Sequence, residues 1–412
     1  MSLIAEILSV GTELLLGDIV NTNAQFLSQE LAKLGINVYI ETTVGDNPAR
    51  LAAAYRDGFA RADLIITTGG LGPTDDDLTK EVAAEVFGRR LVEDADSLAA
   101  LERHFAKSAS KITANNFKQA LIPEGATVLP NANGTAPGCM LEADGKILIM
   151  LPGPPNECVP MFLDEVAPRL KKYTDSVFVS RVLHLVGIGE SAAETAIKDM
   201  LDAQTNPTIA PYAKTSEAIL RITSKAANET EAAKLIEPVA QELYARLGPY
   251  IYGEGDTTLA ETVVRLLIAK NLTIACAESC TGGLLTSAMV DIAGSSAALL
   301  EGAVTYANAA KVQRLGVQAE TLAAHGAVSP QTAKEMAEGI AKTSGADIGI
   351  STTGIAGPDG GTAEKPVGLV YVGLSYNGRT DVLELNLTGN RRKVRERAVV
   401  HALDMLRKAV LQ

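Results

Sequence analysis

The chain has 412 residues and a hydrophobic fraction of 47%, which exceeds what one core usually organises and predicts two or three globular domains. Its formal net charge is −12 and its longest basic run is Arg391-Arg392-Lys393, which argues against a nucleic-acid partner, because such partners normally require a basic face. The chain begins without the features of a signal peptide and has no apolar stretch of roughly 20 residues, so a cytoplasmic protein that does not enter membranes is expected.

Apolar, β-branched runs alternate with helical patterns through the first 170 residues, which is typical of an α/β domain with a parallel sheet. Strands are predicted at 3–10, 36–42, 64–67 and 146–150, and helices at 23–34 and 48–60. The third strand ends at Gly69-Gly70, and the last one runs into the turn Leu151-Pro152-Gly153-Pro154-Pro155.

A glycine-rich turn with three carboxylates follows the third strand, in Gly69-Gly70-Leu71-Gly72-Pro73-Thr74-Asp75-Asp76-Asp77-Leu78-Thr79. Glycines admit a phosphate and carboxylates hold a hydrated divalent cation, so this segment suits a nucleotide-diphosphate substrate with a metal. Aspartates at a helix start are also favoured by the helix dipole without any metal, and the pattern alone leaves both interpretations open.

A smaller segment, roughly 169 to 253, has strand patterns at 177–185 and 218–224 and helical patterns at 191–201 and 229–246. Its acidic and basic residues are about balanced. These features predict a compact α+β connector.

The last part begins at about Glu254 with a helix at 259–269, and an apolar strand then runs into Glu278-Ser279-Cys280-Thr281-Gly282-Gly283 and a helix at 284–290. Ser279 therefore lies at a strand-to-helix junction, where unpaired N–H groups and the helix dipole would stabilise an oxyanion. Capping of this helix by Ser279 and Thr281 is the structural alternative. Cys280 is a rival nucleophile, although a small packing residue is its more usual role.

Other polar residues of this segment would complete a hydrolase site. A strand ending near Tyr306 precedes a helix start with Lys311, and a lysine made neutral by burial can activate a serine, although such a lysine is ordinarily solvated. The strand 347–353 runs into Gly354-Ile355-Ala356-Gly357-Pro358, which resembles a phosphate or oxyanion cradle. Arg391 and Arg395, one turn apart at the start of the closing helix 392–411, would pair with a phosphate or form a charged surface.

These C-terminal motifs, from about Leu259 onward, closely resemble the C-terminal domain of the CinA family. The resemblance implies a nicotinamide-nucleotide amidase that hydrolyses nicotinamide mononucleotide to nicotinate mononucleotide and ammonia, without a metal or other cofactor. By position, Ser279 would be the nucleophile, Lys311 its base and Tyr306 a hydroxyl that positions or relays the proton. The implied substrate-binding residues are Thr281, Gly282, Gly283, Thr353 and Gly354, with Arg391 or Arg395 on the 5′-phosphate.

The N-terminal motifs, together with Val10-Gly11-Thr12-Glu13, Asn21-Thr22-Asn23 and the turn at 131–138, resemble the CinA N-terminal domain and its molybdopterin-binding fold. The resemblance implies an ADP-ribose pyrophosphatase that forms AMP and ribose 5-phosphate, with a divalent metal (Mg, Co or Mn) and potassium. The implied metal ligands are Asp76 and Asp77. The implied nucleotide-binding residues are Gly69, Gly70, Gly72, Thr74, Thr79, Gly134, Thr135, Pro152 and Gly153.

The whole chain thus resembles a CinA (competence/damage-inducible) protein of α/β class. Its expected parts are a molybdopterin-binding-like three-layer α/β domain at 1–168, a small α+β KH-like connector at 169–253 and an α/β amidase domain at 254–412. In the connector, Gly187-Ile188-Gly189-Glu190 is not the GxxG clamp of RNA-binding KH modules. We expect small nucleotides as partners, and a homodimer. A molybdopterin-precursor enzyme and a non-catalytic regulatory scaffold in competence or DNA-damage response are the alternatives.

Overall fold

The computed structural model describes residues 3–107, 112–174, 176–214 and 217–411. The chain divides into two compact units, one comprising Met1–Val179 with Ser224–Lys234 and the other Ser180–Thr223 with Leu235–Gln412. Within the described ranges, no helix combines the length and the apolar character needed to cross a membrane.

Eight strands and seven α-helices make up the N-terminal domain over its described residues. The strands are β1 (Ile4–Val10), β2 (Asn37–Val44), β3 (Leu64–Thr68), β4 (Leu91–Glu93), β5 (Leu121–Pro123), β6 (Thr127–Leu129), β7 (Gly138–Ala143) and β8 (Lys146–Leu151). The helices are α1 (Thr12–Leu16), α2 (Thr22–Lys33), α3 (Pro48–Arg61), α4 (Thr79–Val86), α5 (Ala95–Lys107), α6 (Pro155–Met161) and α7 (Ala167–Leu170), with a π-helical turn (Phe162–Val166) between the last two and 3₁₀ turns at Ala114–Ala120 and Lys171–Tyr173.

A six-stranded sheet of order β2-β1-β3-β8-β7-β6 forms the centre of this domain. The strand β3 is buried on both faces, as expected for a central parallel strand. Leu64 and Ile66 pack in the same layer as α2 residues such as Leu27, whereas Ile65 packs in the opposite layer with the α3 residue Tyr55. The predicted three-layer α/β architecture is therefore confirmed.

The strands β1, β2, β3 and β8 run parallel to one another, so their carboxyl ends lie along one edge of the sheet. Ligands in open α/β sheets bind at this edge. The segments that follow these strands begin at Gly11, Gly45, Gly69 and Pro152, and this edge positions the N-terminal cleft described below.

The connector has the α+β character predicted for it. Its elements are β9 (Val177–Val186), α8 (Glu190–Ala196), α9 (Lys198–Ala203), β10 (Thr208–Lys214), β11 (Glu217–Ala226), α10 (Glu229–Leu247) and β12 (Ile251–Glu254), with sheet order β10-β11-β9-β12. The single helix predicted at 191–201 is wrong. Ile197 is buried with φ −122° and ψ 17°, which lies outside helical geometry and separates α8 from α9.

The C-terminal domain is a second three-layer α/β structure. Its strands are β13 (Ile274–Glu278), β14 (Leu299–Val304), β15 (Ile348–Gly354), β16 (Leu369–Tyr376) and β17 (Arg379–Asn386). Its helices are α11 (Leu259–Ala269), α12 (Leu284–Val290), α13 (Asn308–Leu315), α14 (Ala319–His325), α15 (Pro330–Ser344) and α16 (Arg391–Leu411), with a short 3₁₀ turn (Ser295–Ala297).

The sheet order is β14-β13-β15-β16-β17, and β13 is parallel to both of its neighbours. Ile274 and Cys276 pack in the layer of α11, α12 and α16, whereas Ala275 and Ala277 pack in the layer of α15. The carboxyl ends of β14, β13 and β15 therefore lie side by side at one edge of the sheet.

The long helix α16 carries a buried ion pair in its last third. Arg407 Nη2 is 2.8 Å from Asp404 Oδ1, and each of the two residues is 5% exposed. The same nitrogen lies 3.4 Å from the carbonyl oxygen of Pro249 in the connector, to which it donates. Arg391 and Arg395 stand at the opposite end of this helix, as the sequence predicted.

Candidate active sites

A buried lysine faces the serine at the junction of β13 and α12. Lys311 lies in the first turn of α13 with an exposure of 0%, and its Nζ is 3.2 Å from Ser279 Oγ. The same nitrogen donates to the carbonyl oxygens of Thr305 at 2.8 Å and Tyr306 at 3.1 Å. Burial lowers the pKa of Lys311 because it disfavours the charged form.

Three oxygens surround Lys311 Nζ, so an ammonium would donate to all of them and a neutral amine to two. An uncharged amine keeps two N–H donors and one lone pair, and the carbonyls of Thr305 and Tyr306 accept the two donors. The third direction, toward Ser279 Oγ, then holds the lone pair that can take the serine proton. The pair therefore has the geometry of a nucleophile with its general base.

Glu278 caps helix α12. Its buried carboxylate accepts hydrogen bonds from the N–H groups of Gly283 at 3.0 Å, Leu285 at 3.0 Å and Thr286 at 2.8 Å, and from the Thr286 hydroxyl at 2.6 Å. The alternative that Ser279 and Thr281 cap this helix is wrong, because the Thr281 hydroxyl pairs with the hydroxyl of Thr352 at 2.6 Å and Ser279 Oγ contacts Lys311 Nζ. This capping role of Glu278 was not predicted from the sequence.

The thiol of Cys280 is poorly placed to compete with Ser279. Its residue is 6% exposed and packs in the hydrophobic layer beside α12. Burial raises the pKa of this thiol to about 12, so the nucleophilic thiolate is scarce at neutral pH. Cys280 therefore has the environment of a packing residue.

Tyr306 and Arg391 meet at the exposed rim of the same site. Arg391 Nη2 donates to the Tyr306 hydroxyl at 3.3 Å, and Arg391 Nη1 donates to the carbonyl oxygen of Gly357 at 2.8 Å. The structure thus brings the tyrosine, the arginine and the predicted glycine-rich loop together. Thr353 lies deeper, with 1% exposure, and its hydroxyl donates to the Ala327 carbonyl oxygen at 2.7 Å.

Arg395 has a different partner from Arg391. Its Nε and Nη2 donate to the carbonyl oxygen of Thr281 at 3.2 Å and 2.6 Å. The side chain is half-buried, and it reaches the turn that carries Ser279. Sequence spacing placed both arginines on one helix end but gave no signal that separates their contacts.

The N-terminal domain has a cleft of about 600 Å³ at the carboxyl ends of its parallel strands. Predicted residues that line it are Gly69, Gly70, Gly72, Asp76, Asp77, Thr135, Pro152 and Gly153. Lining residues without a predicted role include Glu13, Asn21, Asn23, Asp46, Gln119 and Glu157. Glu13, Asn21 and Asn23 belong to motifs that carried the family resemblance. The position of Asp46 just after the end of β2 could have indicated that it lines the cleft.

Three predicted nucleotide-binding residues stand behind or beside this cleft. Thr79 is fully buried and its hydroxyl donates to the Gly69 carbonyl oxygen at 2.8 Å, which holds the glycine turn in place. Thr74 hydrogen-bonds to the carboxylates of Asp76 and Asp77. Gly134 lines a neighbouring cavity of about 780 Å³, which Thr135 also borders.

Asp76 and Asp77 lie in the turn that leads directly into α4, which begins at Thr79. Asp77 Oδ2 accepts from the Thr74 N–H at 2.9 Å and closes the turn. The Thr74 hydroxyl donates to Asp76 and lowers the pKa of its carboxyl, which keeps it ionised. Chain-local hydrogen bonding therefore decides this conformation.

The donor set at this turn fits a divalent cation shared with a phosphate. Hydrated Mg²⁺ is commonly bound through one or two carboxylates plus substrate phosphates. Asp76 and Asp77 supply two carboxylates at the rim of the cleft, and each bonds to Thr74 through one oxygen. Over the described ranges, no group of three or more His, Cys, Asp or Glu side chains forms a metal cage, so water and phosphate oxygens would have to supply the remaining ligands.

Comparisons with known proteins cover all three parts of the chain. Family models match it at residues 6–172 ("Probable molybdopterin binding domain"), 180–253 ("Damage-inducible protein CinA KH domain") and 256–410 ("CinA C-terminal domain"). A CinA-like protein of Kosmotoga olearia is 55% identical over 99% of both chains. A CinA-like protein of Dictyoglomus turgidum is 54% identical over 98% of this chain and 99% of its own.

Among solved structures, the competence/damage inducible protein CihA from Agrobacterium tumefaciens is 44% identical, with a TM-score of 0.36, and covers 38% of this chain and 98% of its own. The two CinA-like proteins establish the family, because each is more than 50% identical to this chain over at least 98% of its residues. The chain therefore belongs to the CinA family of competence/damage-inducible proteins.

Proposed function

We propose that the C-terminal domain is an amidase that hydrolyses nicotinamide mononucleotide to nicotinate mononucleotide and ammonia. The observation that carries the proposal is the 3.2 Å separation between the buried Lys311 Nζ and Ser279 Oγ. A Ser-Lys pair hydrolyses amides without a metal, and the exposed Arg391 offers a cation for a phosphate beside it.

The reaction follows from the contacts of these two residues. Ser279 Oγ attacks the amide carbonyl carbon while its proton passes to Lys311 Nζ. The C–N bond then breaks, the protonated Lys311 gives its proton to the departing ammonia, and an ester on Ser279 remains. Water attacks that ester with Lys311 again taking a proton, and the nicotinate product leaves as Ser279 Oγ recovers the proton.

The test of this proposal is release of ammonia from nicotinamide mononucleotide by the purified full chain, with and without EDTA. We expect stoichiometric nicotinate mononucleotide and ammonia at a rate that EDTA leaves unchanged, because no step uses a metal. A protein that releases no ammonia under either condition would contradict the proposal and favour the regulatory-scaffold alternative.

We also propose that the N-terminal domain hydrolyses ADP-ribose to AMP and ribose 5-phosphate. Support comes from the cleft at the carboxyl ends of β1, β2, β3 and β8, which is lined by Gly69 and Gly70, whose φ values of +96° and +68° favour glycine. Asp76 and Asp77 would hold a divalent cation, which when bound neutralises charge on the phosphoryl oxygens. Potassium is part of this proposal as an activating ion.

Removal of either charge at this turn is expected to impair the pyrophosphatase. Asp76→Asn and Asp77→Asn should each reduce ADP-ribose hydrolysis by at least the roughly 10- to 100-fold that loss of an outer-shell metal partner costs. An asparagine at 77 can still accept from the Thr74 N–H, so the turn is kept. AMP formation is measured by chromatography with Mg²⁺ and potassium present.

Asp75→Asn is the matched control, since Asp75 is exposed and does not line the cleft. Equal activity of all three variants and the wild type would show that the carboxylates of Asp76 and Asp77 take no part in the reaction. A parallel incubation with a molybdopterin precursor and ATP tests the alternative substrate, and turnover of that precursor alone would overturn the ADP-ribose proposal.

A further inference from the structure

The turn between β13 and α12, residues 279–283, is held from two sides by charged groups outside it. On one side the Glu278 carboxylate binds the N–H groups of Gly283, Leu285 and Thr286. On the other side Arg395 donates twice to the Thr281 carbonyl oxygen, at 3.2 Å and 2.6 Å. Hydrogen bonds with an ionised partner are stronger than neutral ones, so both contacts constrain this turn.

The Arg395 contact also fixes the direction of the neighbouring Gly282 N–H. The Thr281 carbonyl and the Gly282 N–H belong to one planar trans peptide, so they point in opposite directions. When Arg395 holds the carbonyl, the Gly282 N–H is aimed away from the guanidinium. Gly282 has φ +61°, and a Cβ on it would lie 3.3 Å from Arg395 Nη2, so glycine also leaves room for this contact.

Glu278 determines which N–H groups remain for a ligand. It occupies three donors at the start of α12, and Ser279 N–H donates to the Thr352 carbonyl oxygen at 2.9 Å. The N–H groups of Cys280 and Thr281 hydrogen-bond to the Cys280 thiol, and among the described residues no acceptor contacts the Gly282 N–H. The Gly282 N–H is therefore the donor that remains in this turn after the serine.

We propose that Glu278 and Arg395 are positioning residues that hold this turn so that the Gly282 N–H binds the oxyanion formed at Ser279. Arg395 then acts on the rate of the chemical step and not on recognition of the phosphate. The phosphate falls to Arg391, which is exposed at the first position of α16. The two arginines therefore have separate functions although they lie one turn apart.

This inference rests on the proposed amidase function, and two substrates separate the two claims. Nicotinamide mononucleotide and nicotinamide riboside carry the same amide, but only the first carries the 5′-phosphate. Arg391→Ala should lower kcat/KM for the mononucleotide by about 10- to 150-fold, the value of a hydrogen bond to a charged group, with little change for the riboside. The preference for the mononucleotide should then disappear.

Arg395→Ala should instead lower kcat for both substrates by the same factor, on the order of 10- to 100-fold, which is less than the roughly 10²- to 10³-fold cost of deleting an oxyanion donor. KM and the preference for the mononucleotide should stay near their wild-type values. Arg395→Lys, which keeps one charged donor, should recover part of kcat. Arg392→Ala is the matched control, because Arg392 is exposed and pairs with Glu396 on its own helix.

Loss of the mononucleotide preference in Arg395→Ala would overturn this inference while leaving the amidase proposal intact. A wild-type protein that releases no ammonia from either substrate would overturn both. Thermal unfolding of each variant identifies a folding defect. If Arg395→Ala has such a defect, Arg395→Lys shows whether Arg395 acts on kcat or on KM.

Discussion

Replacement of Ser279 by alanine is expected to abolish ammonia release from nicotinamide mononucleotide. Removal of the nucleophile in a serine hydrolase lowers kcat by a factor on the order of 10⁴ to 10⁶, because the covalent route is lost. The side chain is small and half-buried, and the fold should tolerate its loss. The assay is the ammonia-release assay with EDTA present, and thermal unfolding should match that of the wild type.

Ser287→Ala provides the matched serine control, since Ser287 is exposed on α12 and should leave the rate unchanged. Wild-type turnover in Ser279→Ala would reject Ser279 as the nucleophile. Cys280 would then be the residue to replace next, although burial raises the pKa of its thiol to about 12.

Lys311→Met and Lys311→Arg are both expected to lose activity to nearly the same extent as Ser279→Ala, because residues that act as one unit have non-additive effects. Methionine removes the base. Arginine keeps a charge and several donors but cannot become neutral in a protein. Activity retained in the arginine variant would mean that Lys311 supplies only charge or hydrogen bonds.

The same lysine predicts a pH dependence. Burial lowers the pKa of Lys311, and only its neutral form accepts a proton from Ser279. The value of kcat/KM should therefore rise with pH through the Lys311 pKa and fall as the pH drops below it. The midpoint should lie below about 10.4, the ordinary lysine value. Lys342→Met, at an exposed position on α15, should keep the wild-type profile.

The pairing of Ser279 with Lys311 was implied by the family resemblance, and the structure shows its physical basis. Each follows the carboxyl end of a strand, and β13 and β14 are adjacent and parallel, so both segments emerge at one sheet edge. The neutral state that a base requires depends on burial among backbone carbonyls, which a local pattern does not contain. That part came from the structure alone.

The alternation of side chains along β13 indicates where the Glu278 side chain lies. Side chains alternate across β13, and Ile274 and Cys276 pack in the layer that contains α12. Glu278 continues this alternation and therefore faces the start of α12, where its carboxylate binds three N–H groups. An acidic residue that continues the buried face of β13 toward α12 is therefore placed to cap that helix.

Long-range contacts account for what the sequence could not predict. Arg395 and Thr281 are 114 residues apart, and only the packing of α16 against the sheet brings them together. In the N-terminal domain, Asp46 follows the end of β2 and binds the Thr12 hydroxyl at 2.7 Å, a pairing that no local motif indicates.

The length of α16 has a consequence for how this domain tolerates change. The helix contains 21 residues, which at 1.5 Å per residue is roughly 30 Å, and it carries Arg391 and Arg395 at one end and the Asp404–Arg407 pair near the other. A helix is stiff over this length, so the buried pair and its Pro249 contact help to fix the orientation of arginines that stand far from them. Distance from Ser279 is therefore a poor guide to which substitutions in α16 the amide chemistry will tolerate.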